Sequence, residues 1–374
     1  MKFSEITGLQ ELKEKLIRAV NTEKVAHAQM FAGSEGSGNL ALALAYATLL
    51  NCSNRQENDS CGTCPSCHKM AKLIHPDVHF VYPVSPIKDV KEAISDSFIA
   101  EWRDFIIKNP YSGPNEWSLN FGGENKQLNI SREESRSILR KLSLKSYEGE
   151  YKVMILWLPE YLHPASANAL LKILEEPSEM TVFLMVTNDY EQIINTILSR
   201  VQMLKVRPFS HEEIATHLQK HHEVSPSKAS QLAGISSGNL NHAIHLLEEP
   251  DEDTHEMFHK WMRSCFSNKT DEMVEWMEAF GKASKINQRG LLQYGMAILR
   301  DCLLKTNNQD ALINAGSKER MFVDNFSTIL DQEKLKSIYE VLNTAQYHLE
   351  RNANARIVFL DISLLISSIF NKKQ

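Results

Sequence analysis

Hydrophobic residues in the first 208 positions follow two alternating patterns. In residues 9–20, leucine, isoleucine and valine recur three or four positions apart, which is the spacing of an amphipathic helix. Residues 151–158 (YKVMILWL) and 181–188 (TVFLMVTN) are continuous apolar runs, which are typical of strands buried in a parallel sheet. Similar patterns predict strands at 28–33, 78–83, 128–130 and 203–208, and helices at 39–51, 131–146, 164–176 and 190–200. Strands that alternate with helices predict an α/β domain with a mainly parallel sheet.

The strand pattern stops after Pro208, and the rest of the chain reads as helical. Ser210 and Glu213 have the spacing of a capping box, which marks the start of a helix. The acidic segment 248–256 contains a proline and predicts a linker. Residues 355–370 are apolar on nearly every helical face, so we expect them to be buried, in part against other subunits. The predicted domains are therefore an α/β domain at 1–208 and two all-α domains at 209–250 and 251–374.

Composition narrows the class of protein. The chain has 374 residues, a formal net charge of −6 and a pI near 6.2, which argues against a general nucleic-acid binder. Its first ten residues lack the apolar core of a signal peptide. The longest apolar run, residues 40–50, is too short to span a bilayer, so we expect a cytoplasmic protein without membrane contact.

A cysteine cluster follows the predicted helix at 39–51. Four of the six cysteines fall within sixteen residues, at Cys52, Cys61, Cys64 and Cys67. Four thiolates at this spacing predict a closed, structural Zn²⁺ site in a module at about 52–67. An iron–sulfur cluster or a redox-active pair is the alternative. His68 and His75 lie nearby, but four sulfurs already complete a tetrahedral shell.

Residues 84–127 interrupt the alternation of strands and helices. The segment contains several aromatic residues among turn signals, namely Trp102, Phe105, Tyr111, Trp117 and Phe121. We predict an insertion with a small apolar cluster of its own. Trp102 and Trp117 could stack on nucleic-acid bases, but local core packing is the favoured interpretation.

A glycine-rich turn joins the first predicted strand to the next helix. Gly33 and Gly38, with Gly36 between them, have the spacing of a phosphate-binding loop. Such a loop continues with Lys and then Ser or Thr, which contact the phosphates and Mg²⁺. Asn39 and Leu40 stand there instead, so the segment is either a degenerate phosphate loop or an ordinary turn.

Several segments in fixed order carry a resemblance to a known family. They are HAQMFAGSEGSGN (27–39), the cysteine module, HPDVH (75–79), SANALLKILEEPSEMTVFLMVTN (166–188) and ILSRV (197–201). Together they resemble the AAA+ subunits of bacterial clamp loaders, and more specifically the branch that does not hydrolyse ATP. The resemblance implies a RecA-like AAA+ domain with an inserted zinc module, then a small helical lid, then a C-terminal helical collar that assembles the oligomer.

The resemblance also implies which chemistry is missing. The family's Walker B strand ends in Asp-Glu, and those positions are Trp157 and Leu158 here, with Glu160 two residues out of register. The Gly-x-x-Arg motif, whose Arg meets the γ-phosphate, has Asn241 in the last position. With Asn39 and Leu40, these residues imply a subunit that does not hydrolyse ATP. The alternative is an active ATPase subunit of the gamma/tau type that uses unusual residues.

One catalytic-type residue of the family is retained. Ser199 and Arg200 stand where the family has Ser-Arg-Cys, and Val201 replaces the Cys. The resemblance implies that Arg200 is an arginine finger that acts on ATP bound by a neighbouring subunit. A surface arginine that closes a helix C-terminus is the alternative.

The implied partners are gamma/tau-type ATPase subunits, the delta subunit and the sliding clamp. Contact with primed DNA is expected to be indirect or weak. Five basic residues lie along the predicted helix 131–146, at Arg132, Arg136, Arg140, Lys141 and Lys145. Because Glu133 and Glu134 dilute this charge, we expect a solvated helix face, with minor phosphate contact as the alternative. A free-standing zinc protein that binds single-stranded DNA is a further alternative, which the acidic pI disfavours.

Overall fold

The computed structural model describes residues 1–88, 90, 92–123, 126–248, 254–283, 285–313, 317–351 and 353–371. These residues form two compact units: Met1–Glu213 with Gly238–Asn241, and Ile214–Ser237 with His242–Gln374. Part of the predicted linker, residues 249–253, lies outside the described residues, as do four positions of the 84–127 insertion. The division of the helical region into lid and collar stays a prediction.

The first unit is built on a five-stranded sheet in the order β2-β3-β4-β1-β5. Its strands are β1 Ala28–Ala32, β2 Val78–Val81, β3 Lys152–Trp157, β4 Thr181–Thr187 and β5 Gln202–Lys205. Every pair of neighbours is parallel, which confirms the predicted α/β fold class. The carboxyl ends of all five strands therefore lie along one edge of the sheet.

The helices of this unit cover the two faces of the sheet. They are α1 Gln10–Asn21, α2 Asn39–Leu50, α3 Pro65–Ala71, α4 Ile99–Lys108, α5 Pro114–Asn120, α6 Arg132–Ser143, α7 Pro164–Glu175 and α8 Asn195–Leu198. Every residue of α2 is buried, which explains why its sequence has no polar face. Met154 and Leu156 of β3 share a core with α6 and α7. Because side chains alternate along a strand, Trp157 faces the opposite side of the sheet, where α2 lies.

Two predicted elements are wrong. Residues 128–130 form isolated bridges and no strand, because Asn129 pairs with Val84 and Ile130 with Leu162. The helix predicted at 190–200 is a 3₁₀ turn, Tyr190–Gln192, followed by the four-residue α8. The backbone of Ile193 and Ile194, between these two elements, is extended. This conformation places the Ile193 side chain in the core that the sheet shares with α6 and α7.

The remaining helices confirm an all-α continuation. They are α9 His211–His222, α10 Pro226–Ser236, α11 Leu240–Glu248, α12 Thr254–Phe266, α13 Thr270–Lys282, α14 Lys285–Thr306, α15 Ser317–Ile329, α16 Gln332–Glu350 and α17 Ala355–Asn371. The capping box before α9 is present, because Ser210 and Glu213 exchange side chain-to-backbone hydrogen bonds of 3.2 and 2.8 Å. None of the described helices is long and apolar enough to cross a bilayer.

The core of the second unit centres on aromatic residues. Phe359 of α17 stacks against Trp261 and Phe280, with ring centroids 4.6 and 4.3 Å apart. Trp261 also donates a hydrogen bond of 2.9 Å to Ser363. Only one face of α17 is buried within the chain, since Ile357 is 68% exposed on another face.

Candidate functional site

The glycine turn lies between β1 and α2, at the carboxyl edge of the sheet. Gly36 has a positive φ of 75°, a conformation that favours glycine. Its carbonyl accepts a hydrogen bond of 3.0 Å from the backbone N–H of Leu240, and the side chain of Asn239 lies directly against its Cα. Residues 36–40 are all buried. A turn that is closed in this way has few backbone groups free to cradle a phosphate.

Asn39 occupies the position of the phosphate-loop lysine and points back into the turn. Its Nδ2 donates to the carbonyls of Gly33 and Thr187 at 3.1 and 3.3 Å and to Oδ1 of Asn188 at 3.1 Å. Its Oδ1 accepts from the backbone N–H of Leu40 at 2.8 Å. The uncharged amide, only 5% exposed, therefore ties the turn to β4.

The Walker B position is aromatic and enclosed. Trp157 is 2% exposed, and its ring lies 5.1 Å from Trp102 and 6.3 Å from Phe105. Leu158 is 1% exposed and follows with a positive φ of 59°. Neither side chain has an oxygen atom that could bind Mg²⁺.

Glu160 is the nearest acidic residue of this strand end, and it has a structural role. Its two carboxyl oxygens accept from the Thr187 hydroxyl at 2.9 Å and from the backbone N–H of Asn188 at 3.0 Å. Burial raises the pKa of Glu160 to about 7, and these hydrogen bonds only partly oppose the shift. The carboxyl thus anchors the end of β4 beside Asn39.

Glu160 should make stability depend on pH. Its folded-state pKa lies above the ordinary value of 4.5, so the native state retains the proton more strongly than the unfolded chain. The free energy of unfolding should therefore fall as the pH rises from about 4.5 to about 7, by on the order of 2 kcal/mol. Denaturant unfolding across this range should show the decline in the native chain and not in Glu160→Gln. The exposed neighbour Glu191→Gln is the control, and an equal decline in all three proteins would contradict this assignment.

The residue at the γ-phosphate arginine position, Asn241, is held by the insertion. It is 2% exposed. Its Nδ2 donates to Glu116 Oε1 at 3.0 Å, and its Oδ1 accepts from Asn109 Nδ2 at 2.8 Å. Glu116 also accepts from the backbone N–H of Gly113 at 3.0 Å, which fixes the start of α5.

The insertion has the predicted aromatic cluster. Trp102 and Trp117 are both fully buried, so they are core residues and cannot stack on bases. Trp102 stacks on Tyr82 with 4.0 Å between ring centroids, and Trp117 packs edge-on against both rings. The indole N–H of Trp117 donates to the Pro83 carbonyl at 2.8 Å.

The four clustered cysteines converge on one point. All four sulfurs lie within 4.8 Å of one another. Three separations are 3.6 Å (Cys52–Cys61), 4.0 Å (Cys52–Cys64) and 3.9 Å (Cys61–Cys67). Four sulfurs placed tetrahedrally at the usual Zn–S distance are about 3.8 Å apart, so the cluster fits a metal ion of that size.

Local hydrogen bonds stabilise the thiolate form of Cys61 and Cys64, whereas burial raises the pKa of Cys52 and Cys67. Backbone N–H groups point at sulfur in both CxxC turns, from Cys64 to Cys61 at 3.3 Å and from Cys67 to Cys64 at 3.4 Å. Burial raises the pKa of Cys64, but hydrogen bonds from Ser53 and Cys67 outweigh it and lower that pKa to about 5. His68 and His75 lie outside the group of sulfurs, as predicted.

Asp59 connects the cysteine module to the start of the chain. Its carboxylate accepts from the backbone N–H groups of Phe3 and Ser4 at 3.1 and 2.9 Å. Phe3 is 2% exposed. We did not predict this role from the sequence, and no local pattern marks an aspartate that acts across more than fifty residues.

Arg200 follows α8 and is partly exposed. Its Nε donates to Glu175 Oε1 at 2.6 Å, and its Nη2 contacts the same oxygen. Nη1 donates to the Thr196 carbonyl at 2.8 Å and to Ser199 Oγ at 3.1 Å. The guanidinium is thus oriented at the surface by the end of α7, with 30% of the side chain accessible.

The basic helix α6 differs from the prediction in one respect. Glu134 does not dilute its surface charge, because it is 1% exposed and accepts from the backbone N–H of Ser95 at 2.6 Å. Arg132, Arg136 and Arg140 are exposed on α6, Lys145 is exposed just beyond its end, and Lys141 pairs with Asp96 at 2.6 Å. The exposed face of α6 is therefore more basic than its sequence indicates.

Comparison with known proteins gives the family. The family model for "DNA polymerase III, delta subunit" matches residues 8–210, which is more than half of the chain. The chain is 24% identical to DNA polymerase III subunit delta' of Bacillus subtilis, over 84% of this chain and 83% of that protein. It is 27% identical to subunit delta' of Escherichia coli, over 63% of this chain and 58% of that protein. It is 23% identical to subunit tau of Bacillus subtilis, over 66% of this chain but only 37% of that longer protein. The chain therefore belongs to the DNA polymerase III delta-subunit family, within the AAA+ clamp-loader proteins.

Proposed function

We propose that this chain is a non-hydrolysing subunit of a clamp loader of the delta-prime type, which helps to load the sliding clamp onto primed DNA. The main support for the proposal is the environment of Asn39. A phosphate loop needs a lysine at this position to neutralise phosphate charge. The buried amide of Asn39 is uncharged, and its nitrogen and oxygen both form hydrogen bonds within the turn and to the end of β4. Leu40 and Trp157 support the same conclusion, because Mg²⁺ would find no side-chain ligand at either position.

In this proposal Arg200 acts in trans on ATP bound by a neighbouring subunit. Two features support the role. Its guanidinium is accessible at the surface, and Glu175 and Ser199 hold it in one orientation. An arginine finger works when a cation is already positioned where charge develops on the transferred phosphoryl group. Glu175 must yield or rotate when the phosphate arrives, since one guanidinium cannot satisfy both anions fully.

The cysteine cluster holds a structural Zn²⁺ in this proposal. Four sulfurs at nearly tetrahedral separations leave no open position for a substrate or water, so the ion has no catalytic role. Its function is to fix the module and, through Asp59, the first turn of the chain.

The proposed partners follow from the relatives. Subunits delta' and tau of DNA polymerase III align with most of this chain, so we propose assembly with gamma/tau-type ATPase subunits and a delta subunit in the cytoplasm. The exposed apolar residues of α17, such as Ile357, suit a helical collar between subunits. Contact with DNA is proposed to be weak and limited to surfaces such as α6.

The isolated chain should not hydrolyse ATP, because the phosphate cation and the Mg²⁺ ligands are missing together. Purified chain, free of partner subunits, should release no phosphate above background with Mg²⁺-ATP, with or without primed DNA. It should nevertheless co-purify with a tau-type ATPase and a delta subunit and be required for clamp loading. Mg²⁺-dependent turnover by the chain alone would favour the alternative, an active gamma/tau-type ATPase. Salt-dependent binding of single-stranded DNA without partners would favour a free-standing zinc protein.

A further inference from the structure

The insertion lies on the part of the first unit where a nucleotide would bind. In open parallel sheets, ligands bind beyond the carboxyl ends of the strands, where the strand order reverses. Here β1 leads to β2 on one side of the sheet and its neighbour β4 leads to β5 on the other, so that place lies beyond β1 and β4, beside the glycine turn at the N-terminus of α2. We infer that α4 and α5 form a built-in plug that takes the place of the nucleotide in this cleft. The inference deepens the proposed function and rests on it.

The first contact of the plug is with the end of β3. Trp157 faces the α2 side of the sheet, and the rings of Trp102 and Phe105 on α4 pack against it. Trp102 is held in turn by Tyr82 and Trp117. A fixed aromatic wall therefore occupies the space that Mg²⁺ and its water shell would need.

The second contact is with the turn 238–241, which closes over the glycine loop. Asn109 and Glu116 hold the amide of Asn241 from both ends, so each of its hydrogen-bonding atoms has an insertion partner. One residue earlier, Leu240 donates to the carbonyl of Gly36. The insertion thus holds the turn that covers the loop, through neutral and charge-assisted hydrogen bonds that are sheltered from water.

The third contact is with the loop itself. Gly113, the residue before α5, approaches the carboxyl group of Glu35 so closely that a Cβ atom would clash with it. Gly113 has extended backbone angles that any residue can adopt, and the carboxyl group is the movable end of the Glu35 side chain, so this contact brings the start of α5 against the loop without requiring glycine. Tyr111 adds an edge-on contact with Phe209, which also lies against Gly38.

These three contacts involve different chemical groups, and all of them lie around the cleft beside the glycine turn. Together they contribute to the burial of residues 36–40. The plug makes closure of the cleft a fixed property of the fold. The first unit should consequently have one conformation in the presence or absence of ATP.

Hydrogen–deuterium exchange on the full chain tests the inference. The double variant Asn109→Ala/Glu116→Ala removes both side-chain partners of Asn241 and replaces no residue of the aromatic cluster. Amides of residues 34–40 and 238–241 should exchange at least about tenfold faster than in the native chain, since local opening is governed by local contacts. Tyr111→Ala, which removes the separate contact with Phe209, should accelerate exchange in the loop as well.

The matched control is Ile107→Ala/Leu119→Ala. Both residues are exposed and lie on α4 and α5, at 56% and 39% accessibility, so they test general damage to the insertion. Faster exchange confined to the loop and the 238–241 turn in the two test proteins supports the plug. Unchanged loop exchange overturns it, and so does an equal increase in all strands or in the control. Addition of Mg²⁺-ATP to the native chain should leave exchange unchanged. Failure of this test would leave the trans-acting role of Arg200 untouched, because that role is measured in the assembled complex.

Discussion

If Arg200 acts in trans as proposed, replacing it by alanine should lower single-turnover ATP hydrolysis at the neighbouring subunit's site by at least about 10³-fold, the lower range for an arginine finger. Total DNA-stimulated hydrolysis and clamp loading by the reconstituted complex should fall with it. The physical reason is that charge on the transferred phosphoryl group is spread over three oxygens, and a positioned guanidinium can contact two of them. Arg200→Lys should recover only part of the rate, because an ammonium lacks the planar fork.

The fold should survive this change. The pair between Arg200 and Glu175 is largely exposed, at 30% and 48%, and such pairs contribute at most about 1 kcal/mol. Arg207→Ala is the matched control, because Arg207 also pairs with a carboxylate, Glu213, at 2.7 Å near the surface of the same unit. Zinc content and assembly should be normal in both variants. If the Arg200→Ala complex assembles and hydrolyses ATP at the native rate, Arg200 is only a residue that closes α8.

Replacing Cys64 by serine should abolish stoichiometric zinc binding and loosen the start of the chain. Elemental analysis should give one zinc per native chain and well below one for the variant, because three sulfurs leave an open coordination position. Asp59 would then lose its fixed place, and the backbone groups of Phe3 and Ser4 would lose their acceptor. We expect the thermal midpoint to fall by about 5–10 °C, with local unfolding of the module before the sheet.

His68→Ala is the control for this experiment, because His68 is adjacent to Cys67 but exposed and outside the sulfur cluster. It should retain the zinc and the native thermal midpoint. Exchange of amides in residues 1–6 should increase in Cys64→Ser alone. A Cys64→Ser protein with full zinc and native stability would exclude the four-sulfur site.

The sheet could be predicted from the sequence because buried parallel strands carry their signal locally. Residues 152–157 and 181–187 are apolar at nearly every position, which is typical of strands buried on both faces. The segment 190–200 was mispredicted because its helical spacing competes with a tertiary demand. Ile193 is needed in the core, and an extended backbone brings it there.

How well each candidate site could be predicted depends on whether its residues are close together in the sequence. Cys61, Cys64 and Cys67 are close in sequence, so their spacing alone indicates convergence. The partners of Asn241 are not, because Asn109 and Glu116 lie more than 120 residues away. Glu134 was predicted to be a surface charge because it lies among the basic residues of the helix, yet its carboxylate accepts from the backbone N–H of Ser95 on a different segment.

Under the proposed function, the hydrogen bonds of Asn39 would also make ATPase chemistry difficult to introduce. A single change of Asn39 to lysine would leave the carbonyls of Gly33 and Thr187 without their donor, and it would bury an ammonium with no phosphate to pair with. That change alone would produce no catalysis, because Leu40 and Trp157 would still provide no side-chain ligand for Mg²⁺. Each single substitution towards the family's ATPase residues would therefore be destabilising and confer no activity. In the proposed function, the buried turn thus favours retention of a non-hydrolysing subunit.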